Sequence, residues 1–216
     1  MLFASREDAG RQLGLRLRSL GVEVELVAGL PRGGVVVAAE VAAALQRPLE
    51  ALVVRKIGLA WHREFAVGAL AEADVLVLDP ETINAVPLAQ AQLEAVIAEE
   101  QERLGQYCRE FHRDRKIDLA GRRVLLVDDG LATGATAEAA VHSARKQQAR
   151  QVILAAPVAS PSACARLAGV ADQVVTCLTD VNFCAVGHYY QEFLQTTDEE
   201  VLALLHRQRA DYPPTA

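Results

Sequence analysis

Basic excess is the first thing this chain lacks. Its 22 Lys and Arg stand against 28 Asp and Glu, a formal net charge of −6. No global field therefore draws it to nucleic acid, and a polyanionic ligand must be held by local groups. Cysteine is sparse as well. Cys108, Cys164, Cys177 and Cys184 show no Cys-x-x-Cys spacing, which argues against a disulfide scaffold and predicts a reducing, cytoplasmic setting. The histidines form no HxxxH or HExxH pair, so the usual patterns of a catalytic zinc centre are missing. Long apolar runs are missing too: the most apolar, VVVAAEVAAAL at 35–45, is short and carries Glu40, too little for a membrane span. The N-terminal MLFASREDAGRQ is charged from position 6 onward and has no apolar centre, unlike a secretory signal.

What is present predicts one well-buried α/β domain over 1–216. Of 216 residues 51% are hydrophobic and 23% charged, a globular balance. Short β-branched or Leu-rich runs fall at 24–28, 50–54, 124–127, 152–156 and 174–178, with helical patterns between them. That alternation predicts a twisted, mainly parallel five-stranded sheet with helices on both faces. Helices are expected over 6–20, over 34–46, from about 136, and after Ser160–Pro161, where Ser160 reads as an N-cap. Two segments stand outside the alternation. FAVGALAEADVLVLD at 65–79 reads as a β-hairpin within a 57–87 flap region. Residues 88–112, within an insertion spanning 88–116, carry Leu88, Leu93, Val96, Ile97, Leu104, Cys108 and Phe111 at helical spacing. That long helix covers core or pairs with a second subunit, and a homodimer is the expected assembly. The segment 179–216 is expected to form a small hood and a frayed tail.

The densest chemistry lies in VLLVDDGLATGAT, 124–136. The strand 124–127 delivers Asp128 and Asp129 to the carboxyl edge of a parallel sheet, where ligands bind. Gly130 and Gly134 permit a tight turn with inward N–H groups, Thr133 and Thr136 add hydroxyls, and a helix N-terminus follows. This suits one phosphate. A Walker loop is excluded because Ala135, not Lys, follows Gly134, and a dinucleotide fingerprint is excluded because the acids precede the loop. Carboxylates ahead of a phosphate cradle make sense if the ligand is a sugar phosphate: they accept from vicinal hydroxyls and help hold Mg²⁺. The expected ligand is a ribose 5-phosphate.

Four apolar residues, Asp-Asp, three variable residues and Thr-Gly-x-Thr resemble the 5-phosphoribosyl-1-pyrophosphate (PRPP) motif of the type I phosphoribosyltransferases. The resemblance implies that Asp128, Asp129, Gly130, Leu131, Ala132, Thr133, Gly134, Ala135 and Thr136 bind the ribose 5-phosphate, with Asp128 and Asp129 helping hold Mg²⁺ through the substrate. It makes AGLPRGG, after the first strand, the pyrophosphate loop: Leu30, Pro31, Arg32, Gly33 and Gly34. Arg55 and Lys56 in VVRKIG are similar to the Arg-Lys-x-Gly of adenine and related transferases and would add cationic contacts. The implied reaction displaces pyrophosphate from PRPP by a nitrogen of a nucleobase or similar acceptor, with Arg32, Lys56, Asp128 and Asp129 as its main electrostatic groups.

One position departs from the pattern. Where 6-oxopurine transferases carry an aspartate in the motif, this chain has Ala132, which leaves the general base unassigned; Glu64, in the flap-like 57–68 with Trp61, His62 and Arg63, is the candidate. TDVNFCAVGHYYQEF, 179–193, resembles the 6-oxopurine hood with a spacing one residue longer, so Phe183 and Tyr189 are candidate acceptor contacts. Aromatic runs are as often core. The runner-up is a PRPP-sensing regulator without turnover; a PRPP synthetase-like protein sharing only the loop is a third reading, against which a single domain with no evident ATP site argues.

Overall fold

The computed structural model describes residues 2–59, 62–85, 89–113 and 117–211, and the side chains among them apart from those at 59, 62–66, 81 and 209–211. In chain order the first half runs α1 (Arg6–Ser19), β1 (Leu26–Gly29), α2 (Gly33–Leu45), β2 (Leu49–Ala51), β3 (Val54–Leu59), β4 (His62–Ala71), β5 (Val75–Leu78) and α3 (Pro80–Asn84). It continues through α4 (Gln90–His112), β6 (Arg123–Val127), α5 (Ala135–Lys146), β7 (Gln151–Ala159), α6 (Pro161–Ala168), β8 (Gln173–Thr179), a 3₁₀ turn (Val186–Tyr189) and α7 (Asp198–Asp211).

A strand from each of the five predicted runs joins one sheet, in the order β2-β1-β6-β7-β8, and every pairing is parallel. Both faces are covered, which is why the strands read as continuous apolar runs. Leu125, Val127, Ile153 and Ala155 pack with residues of α1, α2 and α7. Their neighbours Val124, Leu126, Val152 and Leu154 pack with α5 and α6. This is the period-two alternation of a strand, with apolar side chains on each side.

Three expectations need correction. The run 50–54 is not one strand: β2 ends at Ala51 and β3 begins at Val54 in a second, antiparallel sheet, β3-β4-β5. The switch occurs where Leu52 N–H still donates to Gly29 in the first sheet while Val53 N–H turns to the Glu72 carboxylate. The hairpin at 65–79 is therefore two strands of three, and Arg55 and Lys56 sit within β3 rather than at the end of a parallel strand. Secondly, β1 lies at 26–29, not 24–28, because Glu25 uses its carboxylate to accept the Arg123 N–H. Thirdly, the C-terminal segment is not all hood and tail. Thr197 and Glu200 exchange side-chain-to-backbone bonds, Glu200 N–H to Thr197 Oγ1 at 3.2 Å and Thr197 N–H to Glu200 Oε2 at 2.8 Å. That reciprocal cap starts α7, which packs on α2 and β2.

The hood comes from both ends of the chain. Phe3 pairs with Tyr190 as an isolated bridge, and Gln191 and Glu192 donate to Phe3 and Ala4. The long helix α4 lies across β3 and β4 and also touches α7. No helix among the described residues is long and apolar enough to cross a membrane.

Candidate active site

The sheet order locates the crevice. β1 and β6 are neighbours, but the chain leaves them towards opposite ends of the sheet, so the loops after their carboxyl ends part and open a groove. Residues 30–34 form one lip and 128–134 the other. They meet closely: a Cβ added to Gly33 would stand 2.1 Å from Asp129 Oδ2, so only glycine lets α2 begin beside that carboxylate. Gly134, at φ +78, turns the second loop into α5, and Ser160 Oγ donates to the Ala132 carbonyl at 2.6 Å to brace it. The resulting cleft has a volume of about 660 Å³ and takes in Arg32, Lys56, Asp129, Thr133 and Thr136, a size suited to a small phosphorylated ligand.

The two aspartates are held differently. Asp129 Oδ2 accepts from Arg6 Nε at 2.8 Å, an ion pair whose side chains are 11% and 17% exposed. Arg6 is itself fixed by the Leu194 carbonyl at 2.6 Å and lies 3.8 Å from the centre of the Phe193 ring. Tyr190 donates its hydroxyl to the Asp129 carbonyl at 2.5 Å, and burial pushes that phenol above its ordinary range. Asp128 has no ion pair among the described residues. Burial, then the neighbouring Asp129 charge, push its carboxyl up to about 7, with Lys56 and the Asp129 N–H pulling the other way.

The raised value sets a pH dependence. An acid whose folded value lies above its unfolded one stabilises the fold while protonated, and that stability is lost as pH rises from the ordinary carboxylate range to about 7. Asp128→Asn should therefore raise the melting temperature relative to the parent at pH 8 and much less at pH 4. Melts of both proteins in EDTA at the two pH values check this; an equal shift at both would show that the Asp128 charge is not strained.

Among the candidate cations only Lys56 is unpaired within the described residues. It is exposed on β3 and faces the cleft. Arg55 also lines the cleft but pairs with Glu100 of α4 at 2.8 Å and lies 5.2 Å from the Tyr107 ring centre. Arg32 makes a longer contact, 3.8 Å, with Asp198 at the start of α7.

The sequence pattern of the phosphoribosyl transferase domain matches residues 15–192. The chain belongs to the phosphoribosyl transferase family. Two sequences from Mycobacterium tuberculosis, Rv0571c of strain H37Rv and MT0597 of strain CDC 1551, which carry phosphoribosyl transferase as a provisional name, are each 46% identical over 98% of this chain. The chain spans about half the length of these relatives, 48%. The crystal structure of TT1426 from Thermus thermophilus is 43% identical and superposes with a TM-score of 0.78, covering 96% of this chain and 99% of that one.

Within this phosphoribosyl transferase fold, the two predicted loops converge. Phe183 and Tyr189 do not join them. They stack on each other at 5.4 Å, Tyr189 donates to Asp180, and neither lines the cleft. Val186 and Phe193 do line it. Glu64 lies in β4 with its side chain outside the described set, as are those of His62 and Arg63; Trp61 is outside the described residues altogether. Sequence reading missed Arg6, Tyr190 and the inner face of α4, where Glu99, Glu100, Arg103 and Tyr107 form a wall of the cleft. Arg6 carried no motif signal. The wall was hidden because α4 reads as an ordinary amphipathic helix, and only its placement across β3 turns that face inward.

The family resemblance implies Mg²⁺, and the residues fit it. Arg6 pairs with Asp129 alone, and the adjacent Asp128 has no ion pair among the described residues, its carboxyl raised by burial and by the Asp129 charge. An oxygen-only pair whose negative charge is only partly offset is a donor set for a hard divalent cation.

Proposed function

We propose that this domain transfers the 5-phosphoribosyl group from PRPP to a nitrogen of a nucleobase or similar acceptor and releases pyrophosphate. One observation carries the reading: the Asp128–Asp129 pair stands at the head of the 130–134 loop and directly against Gly33 and Gly34 of the 30–34 loop. A ligand with an anionic group at each end and hydroxyls between them fits that order.

In this reading the backbone and hydroxyls of 130–136, at the N-terminus of α5, hold the 5-phosphate. Asp128 and Asp129 accept from the ribose hydroxyls and orient the reacting carbon. Leu30, Pro31, Arg32, Gly33 and Gly34, with Lys56, receive the departing pyrophosphate, whose charge grows as the bond breaks. Arg32 exchanges its 3.8 Å contact with Asp198 for the pyrophosphate, and Arg55 steadies α4 through Glu100. Mg²⁺, when bound by Asp128, Asp129 and the substrate, supplies further positive charge to the leaving group. The acceptor enters beside Val186 and Phe193.

The test is a panel of adenine, guanine, hypoxanthine, xanthine, uracil and orotate with PRPP and Mg²⁺, followed by pyrophosphate release. Turnover with one acceptor class is the expected result. Tight PRPP binding without turnover on any base would favour the sensing role instead.

A further inference from the structure

The last turns of α4 carry a group of side chains that the cleft does not use. Cys108 and His112 are four residues apart on α4 and so share one face. Glu72, the residue after β4, meets them from the hairpin sheet, and one ligand-type atom from each lies within 4.8 Å of the other two. The carboxylate is fixed in place: Glu72 Oε1 accepts the Val53 N–H at 2.5 Å and stands 2.8 Å from His112 Nε2. The imidazole is only partly satisfied, for His112 is 8% exposed and its Nδ1 has no hydrogen-bond partner. Buried polar atoms are rarely left so. A simple Glu–His pair does not account for a thiol beside the carboxylate.

We propose that Glu72, Cys108 and His112 form a binding site for a zinc-class divalent cation, with water in the fourth position. The donor set decides the class: one sulfur, one nitrogen and one oxygen suit a borderline ion, whereas magnesium and calcium take oxygen throughout. Charge agrees. A carboxylate, a thiolate and a neutral imidazole around a doubly charged ion sum to zero, so the half-buried site holds no net charge away from water. In the metal-free protein burial, then the Glu72 charge, push the Cys108 thiol up to about 12, and it stays protonated. The cation takes that proton's place and the proton passes to solvent.

The position gives the site a task. Glu72 ends β4 and ties down Val53, while Phe111, between the two helical ligands, lines the cleft with Tyr107 and Arg103 of the same helix. A cation here fastens the helical wall of the cleft to the sheet carrying Arg55 and Lys56. This holds whichever ligand the cleft takes.

The full chain, stripped with EDTA and titrated with Co²⁺ as a spectroscopic stand-in, should develop a thiolate-to-cobalt charge-transfer band that saturates at one equivalent. Zn²⁺ should abolish it and Mg²⁺ should not. Cys108→Ser should remove the band with unchanged circular dichroism, and His112→Gln should weaken Zn²⁺ binding by at least about tenfold. No charge-transfer band, or a band that survives in Cys108→Ser, would each overturn the proposal, and the first needs no variant to fold.

Discussion

Asp129→Asn should lower kcat/KM for PRPP by roughly 100-fold or more, the scale seen when a group aimed at the reacting centre loses its charge. The side chain lies where both loops meet: its Oδ2 accepts from Arg6 at 2.8 Å, and a Cβ on Gly33 would reach it at 2.1 Å. Asparagine keeps the shape and one acceptor oxygen, so Arg6 retains a partner and the Tyr190 bond, which goes to the main chain, is untouched. Folding should therefore survive, while under the proposed function the ribose would lose an anionic acceptor and Mg²⁺ a ligand. Steady-state kinetics and PRPP titration, beside a melt of the same protein, separate the two effects. Unchanged kinetics would mean that the ribose lies elsewhere in the cleft.

The sequence could announce the loops because their chemistry is local. Glycines, hydroxyls and a helix start within thirteen residues make a tight turn rich in N–H and hydroxyl donors whatever surrounds them, and the strand before them settles which edge of the sheet they occupy. The hood was legible only as a region. Tyr189 and Tyr190 are adjacent, yet Tyr190 is extended, with φ −124 and ψ 138, and the two hydroxyls end on different partners, Asp180 and Asp129. A spacing argument cannot tell which of two neighbours faces the ligand. The α7 start is legible in Thr197-Asp-Glu-Glu200, whose spacing is that of a reciprocal N-terminal cap. Arg55 shows a different limit. As a residue type at the right offset it suits pyrophosphate, and only the tertiary placement of Glu100 shows that it already has an anion.

Phe111→Ala should cost about 3–5 kcal/mol of stability, the range for deleting a fully buried aromatic ring. Its side chain is 0% exposed, belongs to the core shared by α1, α2 and the central strands, and lies 5.3 Å from the Tyr107 ring. For a chain of this size each 1 kcal/mol moves the melting temperature by roughly 2–4 °C, so a fall of roughly 6–20 °C is expected. The loss should not stop at stability. Tyr107 carries the Arg55 guanidinium against its ring, and Glu100 one helical stretch earlier holds the same arginine, so a loosened α4 releases one wall of the cleft. At a temperature where the variant is still folded, KM for PRPP should rise while Asp129 and the 130–134 loop are unaltered. A cost below about 1 kcal/mol would instead place α4 outside the cooperative core, as an appended helix that frays without consequence. The burial of Leu104 and Phe111 in the same cluster as Val127 and Ile57 argues for the larger figure, because that cluster joins the inserted helix to both sheets.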